Sequence, residues 1–291
     1  MEEIKALIRL VRLDELMEKT RGAPDIVVAM IDGPVQRSHE AFREARFQRA
    51  ASDHRIQCRS WGSYACNHGT AVAGILCGDR AVAPGICPGC TLLIRPIFCE
   101  GGRENGCLQV TPRDFITALY DVIAGGARIV NLSLGMDNSF YQDWPELKAA
   151  VDYAYAKGVL LITAAGNQGR VGQTPLLAHP WLIPVAACDR QGVLYPRSNV
   201  GASIGRQGLL APGVQIPSAA SSAKSAYFTG TSAAVPFVTG ALSLLWSLYP
   251  EATAAQLHRA ILSTGQKRNS VVPPLLNGKA SWQTLRGYLN R

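Results

Sequence analysis

Three segments of the sequence place a polar side chain with catalytic chemistry beside glycine and other small residues. Asp32 follows an apolar run at residues 26–31, His68 begins the run His-Gly-Thr, and Ser232 lies between Gly-Thr and Ala-Ala. A carboxylate, an imidazole and a hydroxyl are the groups that combine in nucleophilic acyl transfer, in which the imidazole takes the hydroxyl proton. These residues are therefore the first candidates for a catalytic site.

Each of these residues also has an ordinary explanation. An Asp after a strand is usually a turn or cap residue, a lone His is usually a polar surface residue, and Ser232 can be a helix cap without function. Gly230 permits a sharp turn, and Pro236 lies close enough to the start of the following helix to be tolerated there. Because unpaired amides at a helix start stabilise negative charge on a carbonyl oxygen, the predicted position of the serine is chemically useful.

Short β-branched runs alternate with helical patterns over much of the chain. Four of these runs are predicted as buried strands, at residues 26–31, 91–94, 128–133 and 159–163. The alternation is typical of a parallel sheet with crossover helices, and such proteins place their chemistry at the carboxyl ends of the strands. The predicted fold class is α/β, with a mostly parallel central sheet and helices on both faces.

Helix starts and ends are marked by capping signals. Thr111 and Pro112 predict a helix start, and that helix ends near Gly125. A second helix is predicted at residues 144–157, and Thr253 opens a third with the spacing of a capping box.

Length and composition favour one large domain. The 291 residues are 47% hydrophobic and 17% charged, and no long linker divides them. We expect residues 1–24 to form an amphipathic helix packed on a domain of residues 25–291. Charges before residue 20 interrupt every apolar run, so no secretion signal is predicted. The uncharged stretch at 226–250 is interrupted by polar residues, Gly and Pro, which predicts a buried central helix and no membrane.

Eight cysteines without a secretion signal suggest a cytoplasmic protein with mostly reduced thiols. The run Cys-Pro-Gly-Cys at residues 87–90 fits a redox pair or half of a zinc site, but no second such run or His pair accompanies it. Cys58 with Cys66, and Cys99 with Cys107, flank short polar loops and are the pairs placed to form local bridges. Reduced thiols remain the default expectation, and no zinc site is predicted.

The formal net charge of +8 raises the question of an acidic partner. No basic run interleaved with aromatic residues and no zinc-finger spacing supports nucleic acid, so nucleic acid is not a predicted partner. An acidic peptide fits the charge better.

Taken together, five segments in this order resemble the subtilisin-like serine proteases, over about residues 25–265. They are Asp32 after its strand, the His-Gly-Thr run from His68, and residues 133–135, 164–167 and 230–236. The resemblance implies a subtilisin-like three-layer fold and a serine endopeptidase with the chain order Asp, His, Ser.

The resemblance also implies a role for each catalytic residue. Ser232 attacks the scissile carbonyl, His68 accepts its proton, and Asp32 orients the imidazole and stabilises its charged form. Asn167 donates its side-chain amide to the oxyanion, together with the backbone amide of the serine. Without the resemblance, Asn167 would be interpreted as a turn residue.

Two further segments are implied to bind substrate. The backbone of residues 133–135 pairs with an extended peptide, and residues 164–166 line the pocket for the residue before the cut. The implied substrate-binding residues are Ser133, Leu134, Gly135, Ala164, Ala165 and Gly166.

The sequence departs from the family pattern at two of these boxes. Ala71 stands where the family usually has a second histidine, and Ala233 stands where it usually has methionine. Neither change removes a catalytic group. The loop at residues 78–84 is short, so the calcium-binding loop of secreted subtilisins is predicted to be absent. We expect no metal and no other cofactor.

Asp-Gly-Pro-Val at residues 32–35 and Pro-Ile-Phe at residues 96–98 resemble the cyanobactin-maturation proteases. In that subfamily one kind of enzyme cuts the leader from a ribosomal precursor peptide, and a related kind cuts the other end and joins the ends into a ring. This resemblance implies a precursor peptide as substrate, and the net charge of +8 favours an acidic leader. The alternatives are a general intracellular subtilisin and a non-catalytic peptide-binding module.

The spacing of the catalytic residues bears on ring formation. Only 35 residues separate Asp32 from His68, too few for the inserted helical segment of the macrocyclising relatives. Ring closure requires that water be kept from the acyl-enzyme, usually by a lid. A linear product is therefore predicted.

Overall fold

The computed structural model describes residues 2–50, 58, 62–98, 110–133, 145–172, 176–263 and 269–290. In these residues, strands β1 to β7 form one parallel sheet and strands β8 and β9 form an antiparallel hairpin. The strands are β1 Val27–Asp32, β2 Arg46–Arg49, β3 Thr91–Pro96, β4 Ile129–Leu132, β5 Leu160–Ala164, β6 Leu182–Cys188, β7 Leu209–Pro212, β8 Ile216–Ala220 and β9 Ala223–Phe228.

Helices connect these strands. They are α1 Glu2–Leu10, α2 Asp14–Lys19, α3 Tyr64–Cys77, α4 Pro112–Ala124, α5 Pro145–Ala156, α6 Ala202–Gln207, α7 Thr231–Leu248, α8 Ala254–Leu262 and α9 Gly278–Leu289. Short 3₁₀ turns lie at Glu40–Phe42 and Leu176–Ala178. α4 and α5 pack together, α3 packs on α7, and α7 packs on strands β4 to β7.

The strand order in the parallel sheet is β2-β3-β1-β4-β5-β6-β7, so β1 lies near its centre. Every residue of β4, β5 and β6 is buried, as expected for parallel strands covered on both faces. The four predicted strands are present as β1, β3, β4 and β5, within two residues at each end. The predicted α/β fold class is therefore confirmed.

The predicted helix starts are also confirmed. The hydroxyl of Thr111 accepts from the amide of Asp114, whose carboxylate accepts from the amide of Thr111. Thr253 and Gln256 form the same reciprocal pair at the start of α8. Each box satisfies backbone donors that a helix start leaves without an intrahelical partner.

The N-terminal segment forms two helices, α1 and α2, rather than the single helix expected over residues 1–24. Arg12 lies between them with φ +54°, a left-handed conformation that ends the first helix. Leu7 and Leu16 are almost fully buried in the same hydrophobic cluster as the central sheet. The apolar residues of this segment are therefore packed in the main hydrophobic cluster.

Helix α7 crosses the centre of the molecule. It is long and apolar enough to cross a bilayer, but 89% of it is buried inside the protein. Burial on this scale is expected of a core helix, so the interpretation as a buried helix is confirmed for residues 231–248, whereas residues 226–228 belong to the exposed strand β9.

Cysteine pairing departs in part from the default of reduced thiols. Cys58 and Cys66 form a disulfide, with their Cα atoms 5.5 Å apart, a separation within the usual bridging range. Cys77, Cys87, Cys90 and Cys188 are buried free thiols. The possible pair Cys99 and Cys107 lies outside the described residues.

Candidate active site

The three candidate catalytic residues lie on elements that pack against one another. Asp32 is the last residue of β1, His68 lies in the second turn of α3, and Ser232 is the second residue of α7. α3 contacts both β1 and α7. The fold therefore brings together a carboxylate, an imidazole and a hydroxyl that are far apart in the sequence.

Two glycines permit the close approach of α3 to the end of β1. A Cβ on Gly33 would collide with the carbonyl oxygen of Ala65, and one on Gly69 would lie 2.5 Å from the carbonyl oxygens of Gly33 and Pro34. Any larger side chain at either position would push the helix away from the strand. Gly33 and Gly69 therefore allow the short distance between the aspartate and the histidine.

Asp32 and His68 form a buried hydrogen-bonded pair. The Nδ1 atom of His68 lies 2.6 Å from Oδ1 of Asp32, which also accepts from the amide of Gly33 at 2.5 Å. Asp32 is fully buried and His68 is 9% exposed. A carboxylate at Nδ1 holds the proton on that nitrogen, so that Nε2 of the neutral ring is free of its own proton and suited to act as a base.

The environment of His68 shifts its pKa in two opposing directions. Burial lowers the pKa. The negative charge of Asp32 and the hydrogen bond to it together raise the pKa by more than burial lowers it, so the pKa lies above its ordinary value. Asp32 therefore favours the imidazolium, the form that the histidine takes after accepting a proton.

Ser232 lies at the start of α7, which packs against the helix that carries His68, and its hydroxyl bonds a backbone carbonyl. Its Oγ donates to the backbone carbonyl of Ser133 at 3.1 Å, and no hydrogen bond joins it to His68 among the described residues. Ser232 is 7% exposed. In this structure the serine hydroxyl therefore donates its hydrogen bond to an acceptor other than the imidazole.

Pro236 explains a second contact between Ser133 and the first turn of α7. A proline has no N–H to donate, so the carbonyl of Ser232, four residues earlier in α7, loses its intrahelical partner. The hydroxyl of Ser133 donates to that carbonyl at 3.2 Å. The end of β4 is therefore fastened to the first turn of the helix that carries the candidate nucleophile.

A buried polar network extends behind Ser133. The Nδ2 atom of Asn131 donates to the hydroxyl of Ser133 at 2.8 Å, and Oδ1 of Asn131 accepts from the hydroxyl of Thr239 at 2.9 Å. The sequence analysis did not single out Asn131 or Thr239. The signal was present, because an asparagine in the apolar run Ile-Val-Asn-Leu must find polar partners when the strand is buried.

Asn167 lies against the start of α7. Its Oδ1 accepts from the amide of Thr231 at 2.9 Å, and the hydroxyl of Thr231 accepts from the amide of Gly166 at 3.3 Å. Gly230 has φ +140°, and a Cβ there would lie 3.2 Å from Nδ2 of Asn167. The amide oxygen is thus held by the helix start, and Nδ2 lies near Gly230, two residues before Ser232.

The loop that carries Asn167 is held by Asn199, another residue that the sequence analysis did not identify. Oδ1 of Asn199 accepts from the amides of Gln168 and Arg170 at 3.1 and 3.0 Å, and its Nδ2 donates to the carbonyl of Ala165 at 3.1 Å. A side chain that bonds three backbone groups fixes the course of the loop.

The predicted substrate-binding residues are only partly described. Ala164 ends β5, and Ala165 and Gly166 follow it beside the start of α7, at the same edge of the sheet as Asp32. The backbone of Ser133 also lies at this edge, but Leu134 and Gly135 fall outside the described residues. The binding roles of all six residues remain predictions.

Within the described part of the chain, no three side chains of His, Cys, Asp or Glu converge as a metal site would require. The absence of metal and cofactor expected from the sequence stays a prediction.

Comparison with known families gives a consistent result. A sequence profile of the subtilase family, peptidase S8, matches residues 23–280. Subtilisin DY of Bacillus licheniformis is 28% identical over 263 residues, which cover 88% of this chain and 89% of that protein.

Solved structures with related folds include two peptide-maturation proteases. The prenylagaramide maturation protease PagA is 30% identical, with a TM-score of 0.82 and coverage of 94% of this chain and 98% of that one. The patellamide maturation protease PatA is 29% identical, with a TM-score of 0.75 and coverage of 91% and 98%. The likeness extends over nearly the whole of each chain.

Proposed function

The chain belongs to the subtilase family and is a serine endopeptidase, and we propose that it cuts the leader from a ribosomally made precursor peptide. The observation that carries this proposal is the likeness to PagA and PatA, at 29–30% identity over more than 90% of the chain. Both of those proteins are maturation proteases. We further propose that the residues assembled at the carboxyl edge of the sheet perform the reaction.

The reaction begins with the hydroxyl of Ser232. When substrate arrives, this hydroxyl leaves the carbonyl of Ser133 and turns to Nε2 of His68, which takes its proton as Oγ attacks the scissile carbonyl. The imidazolium that forms is stabilised by the carboxylate of Asp32, 2.6 Å from Nδ1. It then protonates the leaving nitrogen, and water repeats the sequence on the acyl-enzyme.

The oxyanion is stabilised at the start of α7. Ser232 is the second residue of the helix, so its amide has no intrahelical acceptor and is available to a substrate oxygen. Nδ2 of Asn167 is the second donor, because Oδ1 of that side chain is held by the amide of Thr231. Two donors fixed by the fold stabilise the charge without further reorganisation.

Substrate is proposed to bind as an extended strand. The carbonyl of Ser133, now occupied by the serine hydroxyl, becomes an acceptor for a substrate amide once the hydroxyl has turned away. Residues 164–166 would line the pocket for the residue before the cut. Leu134 and Gly135 would continue the strand, in a part of the chain that the structure does not describe.

The charge of the protein supports an acidic leader as the recognised part of the precursor. The sequence carries 29 Lys and Arg against 21 Asp and Glu, a net charge of +8. Opposite charge on the leader would raise the association rate, and salt would weaken the effect. Replacing the leader's acidic residues by amides should therefore lower kcat/KM at low salt more than at high salt. Equal losses at both salt concentrations would argue against electrostatic recognition of the leader.

Mass spectrometry of the products tests the function. A diverse peptide library should show discrete cuts within one motif, whereas dispersed cuts would favour the alternative of general protein degradation. A precursor with both leader and follower sequences should then give linear fragments, whose masses show one added water for each cut. A dominant ring, lighter than the linear excised segment by one water, would overturn the prediction of a linear product.

A further inference from the structure

A hollow of about 240 Å³ lies between helix α3 and the β8–β9 hairpin, directly beside the candidate catalytic histidine. We call it the hairpin hollow. The residues that line it are Tyr64, Asn67, His68, Ala71, Ala219, Ala220, Ser222, Ala223, Ala226, Tyr227 and Phe228. None of the catalytic roles proposed above uses this space.

The hollow follows one face of α3. Tyr64, His68 and Ala71 are spaced four and three residues apart, so their side chains lie on the same side of the helix. The ring of His68 contacts Phe228 edge-on, with ring centres 5.1 Å apart, and Tyr64 at 5.8 Å. A group bound in the hollow would therefore touch the residues that flank the imidazole.

The chemistry of the lining is that of an apolar side-chain site. Most of the lining residues are alanines and aromatic residues, the polar ones are Asn67, His68 and Ser222, and the described residues that line it include no Lys, Arg, Asp or Glu. Tyr64 is 83% exposed and Tyr227 is 64% exposed. Exposed aromatic rings around an apolar floor leave hydrophobic surface in water, and an apolar ligand group would remove it from water.

Small residues set the depth of the hollow. Ala71 lies one helical turn beyond His68 on α3. Ala226 lies on the facing strand β9 and is exposed. A larger side chain at either position would occupy the space.

The walls of the hollow are fastened to each other. Oδ1 of Asn67 accepts from the amide and the hydroxyl of Ser221 at 2.9 and 2.7 Å, which ties the hairpin turn to α3. The hydroxyl of Ser218 donates to the carbonyl of Ala71 at 2.7 Å. Because these contacts exist before any ligand binds, little ordering is needed on binding.

The position of the hollow relates it to the leaving group. The proposed substrate strand and acyl-side pocket lie at β4 and β5, with Ser133 and residues 164–166. The hollow lies at α3 and the hairpin, around the histidine that protonates the leaving nitrogen. The residue that carries this nitrogen must pass beside that imidazole, and thus beside the hollow.

We propose that the hairpin hollow binds a bulky apolar side chain, of leucine or phenylalanine size, on the leaving-group half of the substrate, and that Ala71 sets its capacity. This inference rests on the catalytic roles proposed above and adds a preference for the residue after the cut. It does not depend on the precursor or on its leader.

Acyl transfer to added amines tests this site separately from the acyl side. 4-Nitrophenyl acetate should acetylate Ser232 with release of 4-nitrophenol. An amino acid amide then competes with water: its nitrogen bonds to the acyl carbon, the bond to Oγ breaks, and the amine proton passes through His68 to Oγ. Attack by the amine is the reverse of the step in which a leaving amine departs. The amino acid amide therefore occupies the leaving-group site when its amine attacks.

The measured quantity is the ratio of N-acetyl amide to acetate, determined by mass spectrometry for leucinamide, phenylalaninamide and alaninamide. The wild-type ratio should be about tenfold higher for the two bulky amides than for alaninamide, the factor expected from burying about two methylene groups. Ser232→Ala measures the uncatalysed background.

Two variants fill the hollow from opposite walls. Ala71→Leu and Ala226→Leu should each bring the ratios for the three amides to within about twofold of one another. Ala226→Leu, on an exposed position, keeps the test valid if the more buried Ala71→Leu does not fold. Ala81→Leu makes the same change at an exposed residue beyond the end of α3 and should keep the wild-type preference.

The outcomes are distinct. Equal transfer to all three amides by the wild type, or an unchanged preference in both filling variants, would overturn the proposal while leaving the catalytic roles intact. Absence of acetylation at Ser232 would overturn the catalytic roles and this proposal together. A preference that only the filling variants lose would support it.

Discussion

The two halves of the proposed active site differ in how completely the fold assembles them. On the acid–base side, Asp32 and His68 are joined at 2.6 Å in a buried pair. On the nucleophile side, the hydroxyl of Ser232 bonds the carbonyl of Ser133 at 3.1 Å. The imidazole is therefore oriented by folding, whereas the proposed mechanism requires the hydroxyl to exchange one hydrogen bond for another before it reacts.

This difference has a physical basis in what each half must do. A buried carboxylate needs its partner at all times, because an unpaired buried charge is costly. A serine hydroxyl is neutral and changes acceptor by rotation about one bond. The carbonyl that holds it is the proposed acceptor for a substrate amide, so substrate binding itself would displace the hydroxyl towards the histidine.

Removal of the nucleophile should have the largest effect. Ser232→Ala should lower turnover by about 10⁶-fold, because no other group can form the acyl-enzyme. Peptide binding should remain near the wild-type value, since only one buried hydroxyl is lost. Steady-state kinetics with a cleavable peptide and calorimetric binding measure the two quantities. Undiminished hydrolysis by the purified variant would show that the nucleophile lies elsewhere.

Disruption of the Asp32–His68 pair should have the second-largest effect on turnover. Asp32→Asn should lower turnover by about 10⁴-fold, because an amide in place of the carboxylate no longer holds the histidine tautomer or stabilises the imidazolium. Asp25→Asn, at an exposed position just before the same strand, is the matched control. A loss below tenfold for Asp32→Asn would mean that the buried pair is structural only.

The oxyanion donor should have an intermediate effect. Asn167→Ala should lower turnover by about 10²–10³-fold with little change in KM, because the amide acts mainly in the transition state. The variant also removes the acceptor of the Thr231 amide, so thermal unfolding should be measured in parallel. A large rise in KM with turnover intact would instead assign Asn167 to substrate positioning.

The pH dependence sharpens the comparison further. Because the pKa of His68 is raised, its neutral base form is populated only above a midpoint higher than the ordinary value of about 6.5. Turnover should fall about tenfold for each pH unit below that midpoint. Activity that is flat from about pH 5 to 9 would argue against a histidine base.

The contribution of His68 to the free energy of unfolding should change with pH in the opposite direction to turnover, because it should fall as the pH rises. The pairing of protonated His68 with Asp32 contributes stability that is complete below the unfolded pKa of about 6.5, and this contribution is lost as the pH rises through the raised folded pKa. Asp32→Asn should remove this part of the pH dependence. Thermal unfolding of both proteins across the range checks the sign.

The smallest effect on turnover is expected from the contact behind the nucleophile. Ser133→Ala should destabilise the fold by about 1–3 kcal/mol, because the carbonyl that Pro236 leaves unpaired loses its donor. Turnover should change less than tenfold, since the backbone carbonyl of residue 133 is retained. Ser225→Ala on the exposed strand β9 is the control, and its unfolding temperature should match the wild type.

Much of this site was predictable because the relevant signals are local. The strand before Asp32 is an apolar run, and Gly230 and Pro236 mark the helix start around Ser232. The capping boxes at Thr111 and Thr253 depend on residues three positions apart. Because these signals come from residues close together in the sequence, strands and helix starts could be predicted to within two residues.

Other features depend on tertiary contacts and could not be predicted in this way. β2, Arg46–Arg49, has no buried residue and pairs only because β3 offers an open edge. β9, Ala223–Phe228, is exposed along most of its length, so no apolar alternation marks it. The bond between Ser232 and Ser133 joins residues of different elements and depends on a side-chain rotation that no sequence pattern encodes.

The central claim, that Ser232 is a nucleophile activated by His68, is tested most directly by covalent trapping. A serine-reactive phosphonate should add once to the protein, and peptide mass spectrometry should place the adduct on Ser232. Trapping should slow as the pH falls below the His68 midpoint, and Asp32→Asn should slow it at every pH. An adduct on another residue, or equally fast trapping of wild type and Asp32→Asn at all pH values, would contradict the account.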